Sequence, residues 1–190
     1  MIILISGVSS VGKTNMAQQL LEKYHVPYLS IDHLKMGLYR ADKRCEFTPL
    51  DSNEHISHRL WPILKGIIMT NIENEQHLII EGCYVMPHQI AEFEKDYSER
   101  IISVFLGFSS RYVEQNFHTR IVKYRNVIEQ RQSLEETQVP EYIQEHADFR
   151  DKCLRAGVAY FEIDNDYDSE IAAVYAYIDA EIRQMEQRIS

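Results

Sequence analysis

The sequence predicts an α/β protein, with a five-stranded parallel sheet held between two layers of helices. Three observations predict it. Short aliphatic runs recur at Ile2–Ile5, Pro27–Ile31, His77–Ile80, Ile101–Leu106 and Val158–Ile163. Strands buried on both faces of a parallel sheet need such runs. Stretches with apolar residues at helical spacing separate them, and strand–helix alternation implies right-handed crossovers. A glycine-bearing stretch, Gly7-Val-Ser-Ser-Val-Gly12-Lys13-Thr14, joins the first run to the first helical stretch.

The elements follow in order. Met16, Leu20 and Leu21 mark a helix over Asn15–Tyr24, and His33–Arg40 is a further turn or two. Ala41–Asn53 is polar, contains Pro49 and reads as a loop. Ile56, Leu60, Ile63, Leu64, Ile67 and Ile68 form the stripe of a long helix over Glu54–Ile72. Pro62 lies inside that helix and is expected to kink or interrupt it, because it cannot bond the His58 carbonyl. Pro87–Tyr97 reads as a short helix. Val113, Phe117, Ile121, Tyr124 and Ile128 mark a long one, and Glu141–Arg155 has weaker periodicity. Ile171, Val174, Tyr175, Ile178, Ile182 and Met185 mark the closing helix. No repeat or flexible linker divides the chain, so residues 1–190 read as one domain. Its helical excursions cover about 33–75 and about 109–135.

Composition narrows the class. The 190 residues carry 20 Lys plus Arg against 29 Asp plus Glu, a net charge of −9. An acidic chain is a poor non-specific partner for nucleic acid. No apolar run reaches the roughly 18 residues of a membrane span. Cys45, Cys83 and Cys153 are odd in number, far apart and outside any CxxC pair, so reduced thiols in a cytoplasm are expected. The amino-terminal run lacks a basic flank and reads as a strand, not a leader.

Gly7–Thr14 matches G-x4-G-K-T, the phosphate-binding P-loop, in its confirming context between a strand and a helix. Gly7 and Gly12 allow backbone conformations that side chains disfavour. The N–H groups of Val8, Ser9, Ser10 and Val11 can then turn inward around phosphate, and the helix start adds its positive end. Lys13 is expected to reach the β- and γ-phosphates of ATP, and the Thr14 hydroxyl to ligate Mg2+. The fold class sharpens to a P-loop NTPase three-layer sandwich. No NKxD or LSGGQ-like stretch is present, which excludes the common GTPase and transporter patterns and leaves a small kinase.

Asp32 follows the second strand, where ligands bind in open α/β sheets. A carboxylate there can take the proton of an acceptor hydroxyl, or cap the helix that follows. Glu81 ends the third strand and can hold magnesium or the acceptor, or be a solvated strand end; Gly82 beside it leaves room for substrate. Arg111, Arg120, Lys123, Arg125 and Arg131 concentrate positive charge around the helix after the fourth strand. This segment is either a cationic lid over the γ-phosphate or a solvated helix face. Lys35, Arg40, Lys43, Arg44, Arg59 and Tyr84 are acceptor-side candidates, and Lys35, one turn from Asp32, favours an anionic small molecule. His55 and His58 lack a third partner for a metal, and Trp61 reads as core.

ISGVSSVGKT, LSIDHLKMGL and LIIEGCY together resemble small P-loop kinases of the adenylate-kinase-like superfamily. The nearer group holds gluconate and shikimate kinases, chloramphenicol phosphotransferase, zeta-toxin kinases and uncharacterised predicted kinases. The resemblance implies a substrate-covering helical region after the second strand and a lid after the fourth. It implies ATP and Mg2+ as cofactors, Asp32 as base and lid arginines, here Arg120 and Arg125, on the ATP phosphates. It also implies an adenine site between the lid and the loop after the fifth strand, at Asn165 and Asp166, with Arg111 stacking on the ring. The chain lacks shikimate kinase's DxD after the second strand and its glycine-rich acceptor loop, and the paired arginines of adenylate kinase's monophosphate site. The expected activity is transfer of the γ-phosphoryl group to a hydroxyl. A regulatory nucleotide-binding module without turnover, and a toxin- or resistance-type phosphotransferase, are the alternatives.

Overall fold

A computed structural model describes residues 1–42, 44–124 and 138–189. Five parallel strands form one sheet: β1 (Ile2–Gly7), β2 (Tyr28–Ser30), β3 (Leu78–Gly82), β4 (Ile101–Phe108) and β5 (Tyr160–Ile163). Their spatial order is β2-β3-β1-β4-β5. All five runs read from sequence became strands. The central β1 is buried on both faces, which is why its sequence is aliphatic without alternation. Each of Ile2, Ile3, Leu4 and Ile5 is at most 1% exposed. Burying one such side chain contributes roughly 1.5–3 kcal/mol.

The strand order places a switch point at β1. From β1 the chain runs first to the β2–β3 side and then to the β4–β5 side. Ligands bind beyond the carboxyl ends of strands at such a point. In register, Glu81 lies beside both Ile5 of β1 and Ser30 of β2. The P-loop, Glu81 and the start of the next helix therefore converge at one end of the sheet.

The helices are α1 (Lys13–Tyr24), α2 (Ile31–Ala41), α3 (Asn53–Glu73), α4 (Lys95–Ser98), α5 (Ser110–Asn116), α6 (Val122–Tyr124), α7 (Val139–Ala156) and α8 (Tyr167–Ile189). Pro62 does not interrupt α3, which runs unbroken through it. Pro62 and His58 both lie on the exposed face, where water can satisfy the carbonyl that proline leaves unpaired. Ile63 is 39% exposed and sits off the buried stripe.

One helix expected to be continuous is broken and another changes its winding. Pro87–Tyr97 divides into a 3-10 helix, Pro87–Glu92, and the single turn of α4. Between them Phe93 and Glu94 take extended backbone, and Phe93 packs edge-on to Trp61 at 5.6 Å. Trp61 is buried as expected, with its Nε1 donating to Glu92 Oε2 at 2.8 Å. The helix after β4 passes from α5 through a π-helical turn, Phe117–Ile121, to α6. At that turn the Phe117 ring meets Tyr142 of α7 edge-on at 5.5 Å. Arg125, Arg131, Lys43 and the 125–135 part of the expected 109–135 lid lie outside the described residues.

Candidate active site

The P-loop begins where β1 leaves the sheet. Gly7 has φ +155°, and a Cβ there would collide with the Leu106 carbonyl. Gly12, at φ +91°, caps α1, and a Cβ on it would overlap the Tyr167 hydroxyl. Ser10 also takes a left-handed conformation, φ +64°. No side chain caps α1, so none competes with a ligand for its first N–H groups. Lys13 is buried, and its Nζ donates to the Val8 carbonyl at 2.8 Å.

Two tyrosines hold the loop from behind. Tyr142 of α7 donates to the Ser9 carbonyl at 2.6 Å, and Tyr167 of α8 to the Val11 carbonyl at 3.3 Å. Burial raises both phenols above their ordinary range, Tyr142 strongly and Tyr167 to about 12, so both remain donors at neutral pH. Sequence reading missed both. The one available signal was helical spacing of aromatic residues in α7.

Thr14 Oγ1 donates to Glu81 Oε2 at 3.2 Å. Glu81 is 2% exposed, so it is not a solvated strand end. Burial pushes its carboxyl pKa up, against the opposing pull of neighbours that include Lys13. Glu81 Oε1 and the Ser30 hydroxyl opposite it are buried and make no hydrogen bond of normal geometry among the described residues. A buried carboxylate oxygen left over beside a threonine hydroxyl suits Mg2+, which takes one or two protein ligands and fills its remaining positions with water and phosphate. Among the described residues no group of three or more His, Cys, Asp or Glu side chains is set to hold a metal. Gly82, expected to admit substrate, makes room for Ile31 instead.

Asp32 lies in the first turn of α2, where Ser30 occupies the cap position and no side chain caps the helix. Its Oδ1 accepts from Lys35 Nζ at 2.8 Å and from the Tyr84 hydroxyl at 3.3 Å. Lys35 Nζ also contacts the Tyr84 hydroxyl at 2.5 Å and lies 4.7 Å from the ring centroid. Ser6 anchors this corner, donating to the Val85 carbonyl at 2.8 Å. The Asp32 side chain keeps 22% exposure, and that exposure opens into a cavity of about 410 Å³. Gly7, Val8 and Ser9 line the same cavity, so the P-loop and Asp32 share one space.

The far wall comes from residues outside the expected set. Tyr142, Glu145, Phe149 and Lys152 of α7 line it, with Asp51 and Glu54 at the start of α3. Lys152 and Glu54 pair across it at 2.5 Å. Arg40, Arg44 and Arg59 do not line it; Arg44 pairs with Asp42 and Arg59 with Glu46. Lys35 is bound to Asp32. Among these described residues, the expected anionic acceptor thus finds no unpaired cation lining the cavity.

The residues expected around adenine do meet, but chiefly one another. Arg111 pairs with Asp164 and contacts Asn165 Oδ1. Glu170 accepts from the backbone N–H groups of Asp164 and Asn165. Asp166 caps the start of α8, accepting from Ser169 N–H at 3.0 Å. Hydrogen bonds from Ser169 hold the Asp166 carboxyl below its usual range, and Arg120 adds to that. Arg120 is exposed on the π turn, and its charge also opposes the burial that raises the Tyr112 phenol. It stands on the β5 side and does not line the cavity.

His146 lies behind the loop, 1% exposed. Its Nδ1 accepts from the Phe108 N–H at 2.9 Å, so the neutral ring carries its proton on Nε2. Burial, reinforced by Lys13, lowers its pKa to about 3.

No protein-family model matches the chain, and no curated protein matches it by sequence. Solved structures do share its fold. A gluconokinase from Sinorhizobium meliloti 1021 superposes with a TM-score of 0.55 at 16% identity, covering 98% of this chain and 94% of that one. A shikimate kinase from Aquifex aeolicus gives 0.54 at 14% identity, covering 96% and 98%. A deoxyadenosine kinase from M. mycoides gives 0.51 at 11% identity, covering 95% and 100%. The fold is that of small P-loop kinases.

Proposed function

We propose that this protein is a small-molecule kinase that transfers the γ-phosphoryl group of Mg-ATP to an alcohol. One observation carries the reading: the P-loop and the Asp32 carboxylate open into the same 410 Å³ cavity. That volume suits a compact acceptor.

The roles follow from the chain's own groups. The loop N–H groups and the start of α1 bind the phosphates. Lys13 exchanges its bond to the Val8 carbonyl for the β- and γ-phosphates. Thr14 and Glu81 hold Mg2+, whose charge offsets that of the phosphates. Asp32 orients the acceptor hydroxyl and takes its proton as the new O–P bond forms. Lys35 and Tyr84 fix the Asp32 carboxylate in place. Arg120 and Arg125 remain the proposed charge stabilisers from the lid, and Arg111, Asn165 and Asp166 the proposed adenine contacts. Among the described residues no helix is long and apolar enough to cross a membrane.

The test is ADP release from Mg-ATP with pooled metabolites. Wild type should respond to a pool. Lys13→Ala should abolish the response and Asp32→Asn reduce it on the order of 10²- to 10⁴-fold. Full activity in Asp32→Asn sinks the assignment of the base. Tight Mg-ATP binding with no response to any pool moves the reading to a regulatory module.

A further inference from the structure

We propose that the Ser30 hydroxyl completes the magnesium site, accepting a hydrogen bond from a water molecule that the ion holds. This rests on the kinase reading above and adds a positioning residue to its metal centre. Ser30 ends β2 and stands at the cap position of α2. A serine hydroxyl there ordinarily accepts from an N–H group of the first helical turn. In this chain it accepts from none of them. Ser30 is only 3% exposed, and among the described residues its Oγ makes no hydrogen bond of normal geometry. A buried hydroxyl without a partner lowers stability unless a ligand supplies one.

Its neighbour is in the same condition. Register sets Ser30 beside Glu81 of β3. Glu81 Oε2 accepts from Thr14 at 3.2 Å, whereas Oε1 is buried with no partner among the described residues. The Ser30 hydroxyl is close enough to favour the charged Glu81 carboxylate, though not in hydrogen-bonding geometry. Ile31 packs where any side chain at position 82 would collide with it, which seats the junction of β2 and α2 against the end of β3. Two adjoining strand ends thus carry two buried oxygens that lack partners, next to the hydroxyl of Thr14.

Magnesium dehydrates reluctantly and keeps several waters when a protein binds it. Each such water has two protons to donate, and in a buried site those protons need acceptors. Glu81 Oε1 and the Ser30 hydroxyl are acceptors of that kind. A hydroxyl fills the role without adding a second buried charge beside Glu81. Thr14 can keep its proton on Glu81 Oε2 while its oxygen turns a lone pair to the ion. Partners in this outer position orient the ligands of a metal and set its affinity. The same role accounts for the uncapped start of α2, since the helix makes no use of the Ser30 hydroxyl.

The experiment titrates Mn2+, a paramagnetic stand-in for Mg2+, into the full chain with the ATP analogue AMP-PNP, and reads the free ion by electron paramagnetic resonance. No acceptor is needed. Ser30→Ala should weaken Mn2+ binding roughly 10- to 100-fold and leave metal-free AMP-PNP binding unchanged. Without ligand it should melt no lower than wild type, because it removes a buried hydroxyl that had no partner. Ser30→Thr, which keeps the hydroxyl, should bind Mn2+ as wild type does. Wild-type Mn2+ affinity in Ser30→Ala overturns the inference and leaves the kinase reading standing. A lower ligand-free melting temperature in Ser30→Ala, or equal weakening in Ser30→Thr, assigns Ser30 to packing and also overturns it. Failure of the wild type to bind Mn2+ with AMP-PNP overturns this inference and the kinase reading together. The expected losses in Ser30→Ala, combined with silence of every metabolite pool, support the Ser30 assignment and overturn the kinase reading alone.

Discussion

Lowering the pH from 8 to 5 should cost the protein about 2 kcal/mol of stability through His146 alone. His146 has a folded pKa of about 3 against 6.5 in an open chain. Above pH 6.5 the ring is neutral in both states and contributes no pH dependence. Below it the unfolded chain takes up a proton that the folded chain refuses, so stability falls with pH. At ~1.36 kcal/mol per pKa unit, about 1.5 units are in play at pH 5, which gives the figure above. Protonation in the folded state would also break the bond from the Phe108 N–H, because His+ has no acceptor nitrogen. The assay is thermal melting at pH 8 and pH 5 for wild type and His146→Gln. Glutamine keeps an acceptor for Phe108 and removes the titration. Every other titrating group is common to the two proteins and cancels. The pH-induced drop in melting temperature should be larger in wild type by about 4–8 °C, given ~2–4 °C per kcal/mol for a chain of this size. Parallel profiles would show that His146 titrates normally and that the packing behind the P-loop is wetter than described.

Two further outcomes follow from the same packing. Tyr142→Phe keeps the ring but leaves the Ser9 carbonyl without its 2.6 Å donor, at a cost of about 1–3 kcal/mol. Calorimetry should record several-fold weaker Mg-ATP binding, and affinity and melting both unchanged would remove Tyr142 from the loop's support. Gly12→Ala introduces φ strain of about 1–2 kcal/mol and a clash with the Tyr167 hydroxyl. Adding Tyr167→Phe should recover only the steric part of the stability loss, and full recovery would show that φ at Gly12 is unstrained.

The fold was legible because its signals are local. An aliphatic run such as Ile2–Ile5 has no competing explanation once a glycine motif and a helix follow it. The P-loop was legible for the same reason: eight consecutive residues carry both the backbone requirement and the chemistry. Glu81 and Asp32 could be placed because strand ends are visible in sequence and the sheet brings them together. What escaped is what depends on tertiary neighbours. Lys35 looked like an acceptor contact until Asp32 and Tyr84 were seen to hold it. The helix break at Phe93 and the π turn at Phe117 coincide with aromatic contacts to Trp61 and Tyr142, residues 32 and 25 positions away in sequence. The α7 wall lies more than 100 residues from Asp32, and its helical stripe carries no motif. The far side of the cavity belongs to no single segment and emerges only when α3 and α7 meet.

The loop's hydrogen bonds tie it to this same wall. Lys13 donates to the Val8 carbonyl, so the proposed phosphate binding would exchange one buried hydrogen bond for charge-assisted ones. That exchange favours phosphate only while the loop carbonyls stay turned away from the ligand. Ser9 and Val11 are kept so by hydroxyls from α7 and α8, helices that flank the last strand rather than the loop itself. Tyr142 also lines the cavity that the loop shares with Asp32, together with Glu145 and Phe149 on the same helix. A shift of α7 on acceptor binding would therefore act on both ends of the reaction. It would close the wall around the acceptor and reset the loop that carries the γ-phosphate. The acceptor would then strengthen Mg-ATP binding, and by linkage Mg-ATP would strengthen acceptor binding by the same factor. Tyr142→Phe separates the two ends: it should abolish this mutual strengthening while leaving acceptor affinity in the absence of nucleotide close to that of wild type. Equal coupling in the variant and the wild type would mean that the two sites communicate through the shared cavity alone and not through α7.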